Sequence, residues 1–294
     1  MNALTAKVKR ILPPPVRALL SRERRLLWSG WGSLGHAVAR FRRVDVRTKI
    51  PPPPRSLQTF IGGSEYRDFQ VIGESFRAYF INLARLEPDH TVLDVGCGVG
   101  RMAVALTSFL SPKGEYWGFD VSRRAIDWCR REISSRFHNF HFQWSDVFNS
   151  AYNPRGRQAA RSYAFPFPDS TFDFVCLTSV FTHMLPADLE RYLSEVARVL
   201  KPGGRCLATF FLLNDESKAL IAAGASTQPF EDELPGCRVY ARNVPEAAVA
   251  YEEQDVRRLY ERVGLQADLL IYSGGWCGRA SFVDYQDMIV AGRN

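Results

Sequence analysis

The chain has 294 residues, 46% of them hydrophobic and 23% charged, with a formal net charge of +7. This composition suits one large α/β domain with additions. No apolar run reaches the roughly 18 residues a membrane span needs, and the six scattered cysteines, with no C-x-x-C pair, argue against a zinc site or a disulfide framework.

The charge is unevenly placed. Residues 1–55 hold 13 Lys and Arg against Glu23 and Asp45 alone, leaving 25 basic and 29 acidic residues in the rest of the chain. Pro13–Pro15 and Pro51–Pro54 bracket this arm, and proline runs stop helices and favour extended linkers. Between them Leu27, Trp31, Leu34, Val38 and Phe41 recur at helical spacing among arginines. Two readings stand side by side. The stretch between the proline runs is a basic amphipathic helix through which residues 1–50 make peripheral contact with an anionic membrane surface, or a helix packed on the body or a partner with its arginines in solvent. A nucleic-acid arm is disfavoured because the remaining chain is acidic. The N-terminus has no apolar core followed by a small-residue cleavage site, so the protein is expected to be cytoplasmic, at most peripheral at the inner membrane surface.

Residues 56–294 form the second unit. A helical pattern runs through Phe69, Ile72, Phe76, Tyr79, Phe80 and Leu83, and Pro88 ends it. Strands are then predicted at 91–95, 115–119, 140–144, 172–178, 204–211, 267–272 and 287–292. Helices are predicted at 101–110, 122–135, 186–200 and 252–263. Strands alternating with helices predict a doubly wound, mostly parallel sheet. The last two strands have no helix between them and read as a hairpin-type pair. The stretch 213–251 interrupts the alternation and reads as a substrate-cap insertion.

The run Val-Leu-Asp-Val-Gly-Cys-Gly-Val-Gly at 92–100 carries the most chemical information. A short apolar strand ends in Asp94, three glycines follow at alternate positions, and Arg101 opens an amphipathic helix. Backbone in such a turn can approach a ligand with no Cβ in the way. A second acid, Asp120, ends the next strand 20 residues after Gly100, where a βαβ unit places its ribose-binding carboxylate. A dinucleotide turn wants G-x-G-x-x-G, but here the third glycine comes one residue early and Arg101 stands where the pattern wants glycine. Asp94 is also a poor neighbour for a pyrophosphate, whereas it suits a cationic ligand.

This run resembles motif I of the class I S-adenosylmethionine-dependent methyltransferases, and the resemblance extends over about residues 91–293. Further along, Phe172-Asp173-Phe174-Val175 resembles the family's fourth strand, and Lys201-Pro202-Gly203-Gly204 the turn before its fifth. The resemblance implies a Rossmann-like seven-stranded sheet with one antiparallel strand and S-adenosyl-L-methionine as cofactor. It implies that Gly96, Cys97, Gly98 and Gly100 lie beneath the methionine moiety, with Asp94 near its amino group and Arg101 beside it. Asp120 would bind both ribose hydroxyls, because a carboxylate has two acceptor oxygens. Ser122 would cap the next helix, Val121 would touch the adenine, Asp146 would accept from the adenine amino group with the Val147 backbone nearby, and Thr178 would complete the site.

The acceptor belongs at the carboxyl ends of the strands. His183, just beyond the fourth strand, is the candidate base, with orientation or packing as its alternative role. Arg155 and Arg161 lie in a long basic loop that reads as a lid, as a clamp on an anionic group, or as a solvated surface. Trp276 and Arg279, among the glycines between the last two strands, read as a stacking surface and a cation on a mobile loop, or as edge packing. The expected reaction is methyl transfer to a small-molecule or glycan acceptor, at oxygen. An RNA or protein acceptor, and a cofactor-binding scaffold without transfer, are the alternatives.

Overall fold

The computed structural model describes residues 50–54, 56–57, 66–150 and 152–294. The basic arm, and the membrane contact read into residues 1–50, lie outside them apart from residues 50–54. No helix among the described residues is long and apolar enough to cross a membrane.

The chain enters through helix α1 (Tyr66–Asn82) and then alternates strand and helix: β1 (Thr91–Val95), α2 (Arg101–Leu106), β2 (Glu115–Asp120), α3 (Arg123–Cys129), β3 (Phe140–Trp144), β4 (Phe172–Leu177), α4 (Pro186–Val199) and β5 (Leu200–Phe210). An insertion follows, made of β6 (Leu212–Leu213), α5 (Asp215–Ala222), β7 (Asp232–Leu234), β8 (Cys237–Val239) and β9 (Val249–Glu252). Helix α6 (Glu253–Arg262) and strands β10 (Ala267–Tyr272) and β11 (Asp287–Gly292) close the fold. The seven-stranded sheet has the order β10-β11-β5-β4-β1-β2-β3. Strand β11 is antiparallel to both neighbours, and the other pairings are parallel. This is the expected topology.

Side-chain alternation builds the two layers. In β4, Val175 and Leu177 enter the core under α4 and α6 with Leu193, Val196, Val256 and Leu259. Phe174 and Cys176 enter the opposite core under α1, α2 and α3 with Phe80, Met102, Ala103 and Ile126. Each fully buried Leu, Val or Phe contributes about 1.5–3 kcal/mol relative to exposure.

Two helices differ from expectation. Helix α2 stops at Leu106, where the Thr107 hydroxyl donates to the Val104 carbonyl at 2.7 Å and Ser108 Oγ to Ala105 at 3.3 Å. Hydroxyls that bond the preceding turn compete with the helix ladder. Helix α3 begins with Ser122 as N-cap, its hydroxyl accepting from the Ala125 amide, but widens into a π-turn at Arg130–Ser134. Cys129 and Ile133 at that junction pack so closely on Gly100 that a Cβ there would lie 3.1 Å from Sγ and 2.7 Å from Cδ1.

The insertion forms its own four-stranded sheet, β6-β9-β8-β7. It shares a third core with the β10–β11 loop, made of Phe211, Leu213, Phe230, Trp276, Cys277 and Tyr285. An Asn214/Ser217 capping box starts α5.

Candidate cofactor and acceptor site

Strand order reverses between β4 and β1, so the loops leaving these strands diverge and open a crevice at their carboxyl ends. The two loops touch there: a Cβ on Gly96 would lie 2.6 Å from Val180 Cγ2. Gly96, Gly98 and Gly100 all have positive φ, at 74°, 53° and 69°. At Gly98 a Cβ would project into open space, with nothing within 4 Å. The glycine there leaves room on the ligand side of the turn.

Asp120 holds this turn in place. Its Oδ2 accepts from the Gly98 amide at 2.8 Å, and its Oδ1 from the Ser122 amide at 2.7 Å. Each oxygen keeps a second lone pair for a hydroxyl donor. Burial raises this carboxyl above its ordinary value, while the backbone amides lower it.

Asp94 is 1% exposed. Its Oδ2 accepts from the Tyr116 hydroxyl at 2.5 Å, whereas Oδ1 is buried with no hydrogen-bond partner. Burial pushes the carboxyl up to about 7, against the pull of Tyr116 and with the repulsion of Asp120. A buried acceptor without a donor is costly unless a ligand supplies one. An orphaned carboxylate oxygen beside an open glycine cradle fits a ligand that carries a cationic amino group. Arg101 lies in the same field: burial lowers it to about 10, and Asp284 and Asp94 pull it back up. Cys97, Cys129 and Cys176 surround the turn as buried thiols pushed up by burial; Cys97 and Cys129 serve as packing, while the Cys176 thiol also interacts with Asp94 and helps lower its carboxyl.

Val121 is half-buried, and its carbonyl accepts from Trp144 Nε1 at 3.0 Å. Asp146 is engaged by its own loop. Arg157 Nε donates to Oδ2 at 2.6 Å and holds the carboxyl below the usual range, and the Arg157 and Gln158 amides donate to the Asp146 carbonyl at 3.1 Å. Oδ1 has a long 3.4 Å contact from Asn153 Nδ2. Val147 is buried, with its carbonyl accepting from the same amide group at 3.0 Å. Gly156 lets the loop fold back on itself, since a Cβ there would sit 2.4 Å from the Phe148 nitrogen.

Thr178 is half-buried at the end of β4. Ser179 next to it has φ 58°, a strained conformation for a non-glycine residue. Its amide donates to Thr209 Oγ1 at 2.7 Å and its hydroxyl to Gln286 Oε1 at 3.1 Å.

His183 lies in the turn after β4, half-buried, with Nδ1 3.0 Å from the Glu246 carbonyl oxygen. That oxygen can only accept, so Nδ1 carries the proton and Nε2 is the lone-pair nitrogen of the neutral ring. Burial lowers the ring below the ordinary histidine value, while the Glu246 and Ala247 backbone and the Glu246 charge raise it. A neutral imidazole in this tautomer can take a proton at Nε2.

The remaining substrate candidates divide. Arg155 and Arg161 are exposed on the loop after β3, in keeping with a loop that meets solvent or ligand. Trp276 and Arg279 correct the expectation of a mobile stacking loop. Trp276 is 0% exposed, edge-on to Phe211 and Phe230 at 5.4 Å, with Nε1 donating to Asp287 Oδ2 at 2.7 Å. Arg279 is 5% exposed and is bound to Asp287, Glu216 and the Gly274 carbonyl. Both are internal fixtures of the β10–β11 loop, packed against the insertion. Sequence reading missed their shared partner Asp287, and it also missed Tyr116, Ser179 and Glu246. The acid opening β11 after a Gly-Trp loop was the one local signal for Asp287.

Residues 93–208 match the family described as "Methyltransferase domain". The demethylmenaquinone methyltransferase of Symbiobacterium thermophilum is 30% identical over 132 residues, 45% of this chain and 47% of that protein. The fatty-acid O-methyltransferase of Mycolicibacterium smegmatis is 35% identical over 120 residues, 40% of this chain and 36% of that one. The chain thus spans less than half the length of either relative. A solved Pyrococcus horikoshii protein shares the fold with a TM-score of 0.54 and 21% identity, covering 82% of this chain and 97% of its own.

Proposed function

We propose, from the match of residues 93–208 to a methyltransferase domain and from the glycine turn described above, that the protein is a class I S-adenosylmethionine-dependent methyltransferase that transfers a methyl group to an oxygen of a small-molecule acceptor. S-adenosylmethionine supplies a methyl carbon activated by a sulfonium. Asp120 would hold its ribose, the Gly96–Gly100 turn and Asp94 its methionine end, Val121 and the Asp146–Val147 turn its adenine. The observation that carries the reading is the buried Asp94 Oδ1, unpartnered beside the open face of Gly98.

His183 Nε2 would take the proton that the acceptor oxygen loses as its bond to the methyl forms and the methyl–sulfur bond breaks, the cofactor leaving as the neutral thioether. Alignment of the two reactants supplies much of the rate, and the base adds to it. Arg155 and Arg161 are the cations available to an anionic group on the acceptor. The names of the relatives, a quinone-precursor and a fatty-acid methyltransferase, favour a small molecule over a glycan, and an apolar acceptor over a polar one. The basic stretch within residues 1–55 would then bring the chain to the lipid surface where such acceptors partition.

The test is transfer of labelled methyl from S-adenosylmethionine into cell extract separated into lipid, glycan, RNA and protein fractions. Label in the lipid or small-molecule fraction supports the reading. Label confined to RNA or protein, or no transfer to any fraction, sinks it.

A further inference from the structure

The insertion grips the His183 turn at two points. His183 Nδ1 donates to the Glu246 carbonyl at 3.0 Å, and the Tyr251 hydroxyl of β9 donates to the Met184 carbonyl at 2.5 Å. Glu246 sits in a one-turn 3-10 segment, Pro245–Ala247, whose proline fixes the backbone just before it. Buried Ala248, Val249 and Ala250 anchor the segment from behind. The Glu246 side chain is held as well: the Ser150 hydroxyl, from the loop after β3, donates to its Oε2 at 2.5 Å. One residue therefore joins the insertion, the candidate base and the loop that carries Asp146, Arg155 and Arg157.

We infer that Glu246 is the positioning residue for His183, its main-chain oxygen fixing the Nδ1–H tautomer and its Ser150-held carboxylate stabilising the imidazolium. This rests on the base role proposed for His183. A ring that gains a proton at Nε2 becomes a cation in a partly buried turn, where a nearby fixed carboxylate counts for more than it would in water. The other ionisable groups around the turn are Asp188 of α4, with Arg161 across from it, and the Tyr251 hydroxyl. Asp188 has no hydrogen bond to the imidazole, and burial and the Glu246 charge raise its own carboxyl. The Glu246 charge itself favours the imidazolium.

The test reads the ring directly, by imidazole nitrogen NMR on the full chain, with no acceptor required. In the wild type the neutral His183 ring carries its proton on Nδ1. In Glu246→Gln the tautomer persists, because the main-chain oxygen is still there, and the His183 titration midpoint moves to lower pH. Glu246→Asp returns it toward the wild-type value. Ser150→Ala shifts it in the same direction as Glu246→Gln but less, and it serves if the glutamine variant fails to fold. An Nε2–H tautomer in the wild type overturns the inference, as does a midpoint unmoved by both Glu246→Gln and Ser150→Ala. Absence of methyl transfer into every extract fraction would instead fail the proposed function and leave the titration result standing.

Discussion

The Tyr116 hydroxyl donates to Asp94 Oδ2 at 2.5 Å across neighbouring strands, and with Cys176 and the Arg101 charge it opposes the burial that raises this acid. Asp94 titrates near 7, above its ordinary 3.8, chiefly because burial penalises its charge. The carboxylate form must therefore be stabilised by whatever lies against Oδ1.

Cofactor affinity should consequently depend on pH. A cationic ligand favours the carboxylate, so binding of S-adenosylmethionine strengthens as pH rises through about 7. Asp94 alone has the opposite effect on the free protein: the folded state holds this proton more tightly than the unfolded chain, so its contribution to stability falls as pH rises from about 4 to about 7. Calorimetric titration between pH 6 and pH 8 checks the first expectation. Asp94→Asn should flatten the curve, and Tyr116→Phe should displace it to higher pH.

Gly98→Ala separates cradle from scaffold. The new Cβ meets nothing in the protein, so only the positive φ opposes it, at a cost of about 1 kcal/mol. If the open side is the ligand's place, Kd for S-adenosylmethionine rises by about tenfold or more while the unfolding midpoint drops little. Equal, small effects on both would make the glycine a turn residue alone.

His183→Ala should cut turnover by about a hundredfold and leave cofactor affinity within about twofold, as loss of a general base does. The readout is labelled-methyl transfer into whichever extract fraction accepts it, beside calorimetry on the same preparation. Turnover unaffected by the change would reduce His183 to packing.

Asp287→Ala should act on stability. The carboxylate accepts from the Leu212 and Gly274 amides and the Trp276 indole, and pairs with Arg279. Removing it leaves three buried donors without their acceptor and strips the buried Arg279 guanidinium of one of its two carboxylate partners, a loss of about 3–5 kcal/mol. Denaturant unfolding followed by tryptophan fluorescence measures it.

The parts of this protein that were legible from sequence are those written in short, local patterns. The Asp94–Gly100 turn, the Ser122 cap and Asp120 each lie within a few residues of the element they serve, and their residue types are dictated by backbone conformation or strand position. The fold followed from the same periodicities, including the antiparallel β11. What escaped reading depends on distant partners. Trp276 reads equally as a stacking surface or as packing, because nothing nearby in sequence reveals Phe211, Phe230 and Asp287 around it. The tautomer of His183 is set by a carbonyl 63 positions away. The early end of α2 and the π-turn after α3 arise from hydroxyl competition and from packing on Gly100, which apolar spacing does not encode.

The proposed cofactor site at the carboxyl ends of β1 and β2 depends most on Asp120. Isothermal titration of the full chain with the cofactor tests it most directly. Saturable one-to-one binding is expected, weakened by about 10–100-fold in Asp120→Ala, since the ribose loses its acceptor and the Gly98 amide its anchor. No binding by the wild type, or an Asp120→Ala variant that is folded and binds equally well, would contradict the account.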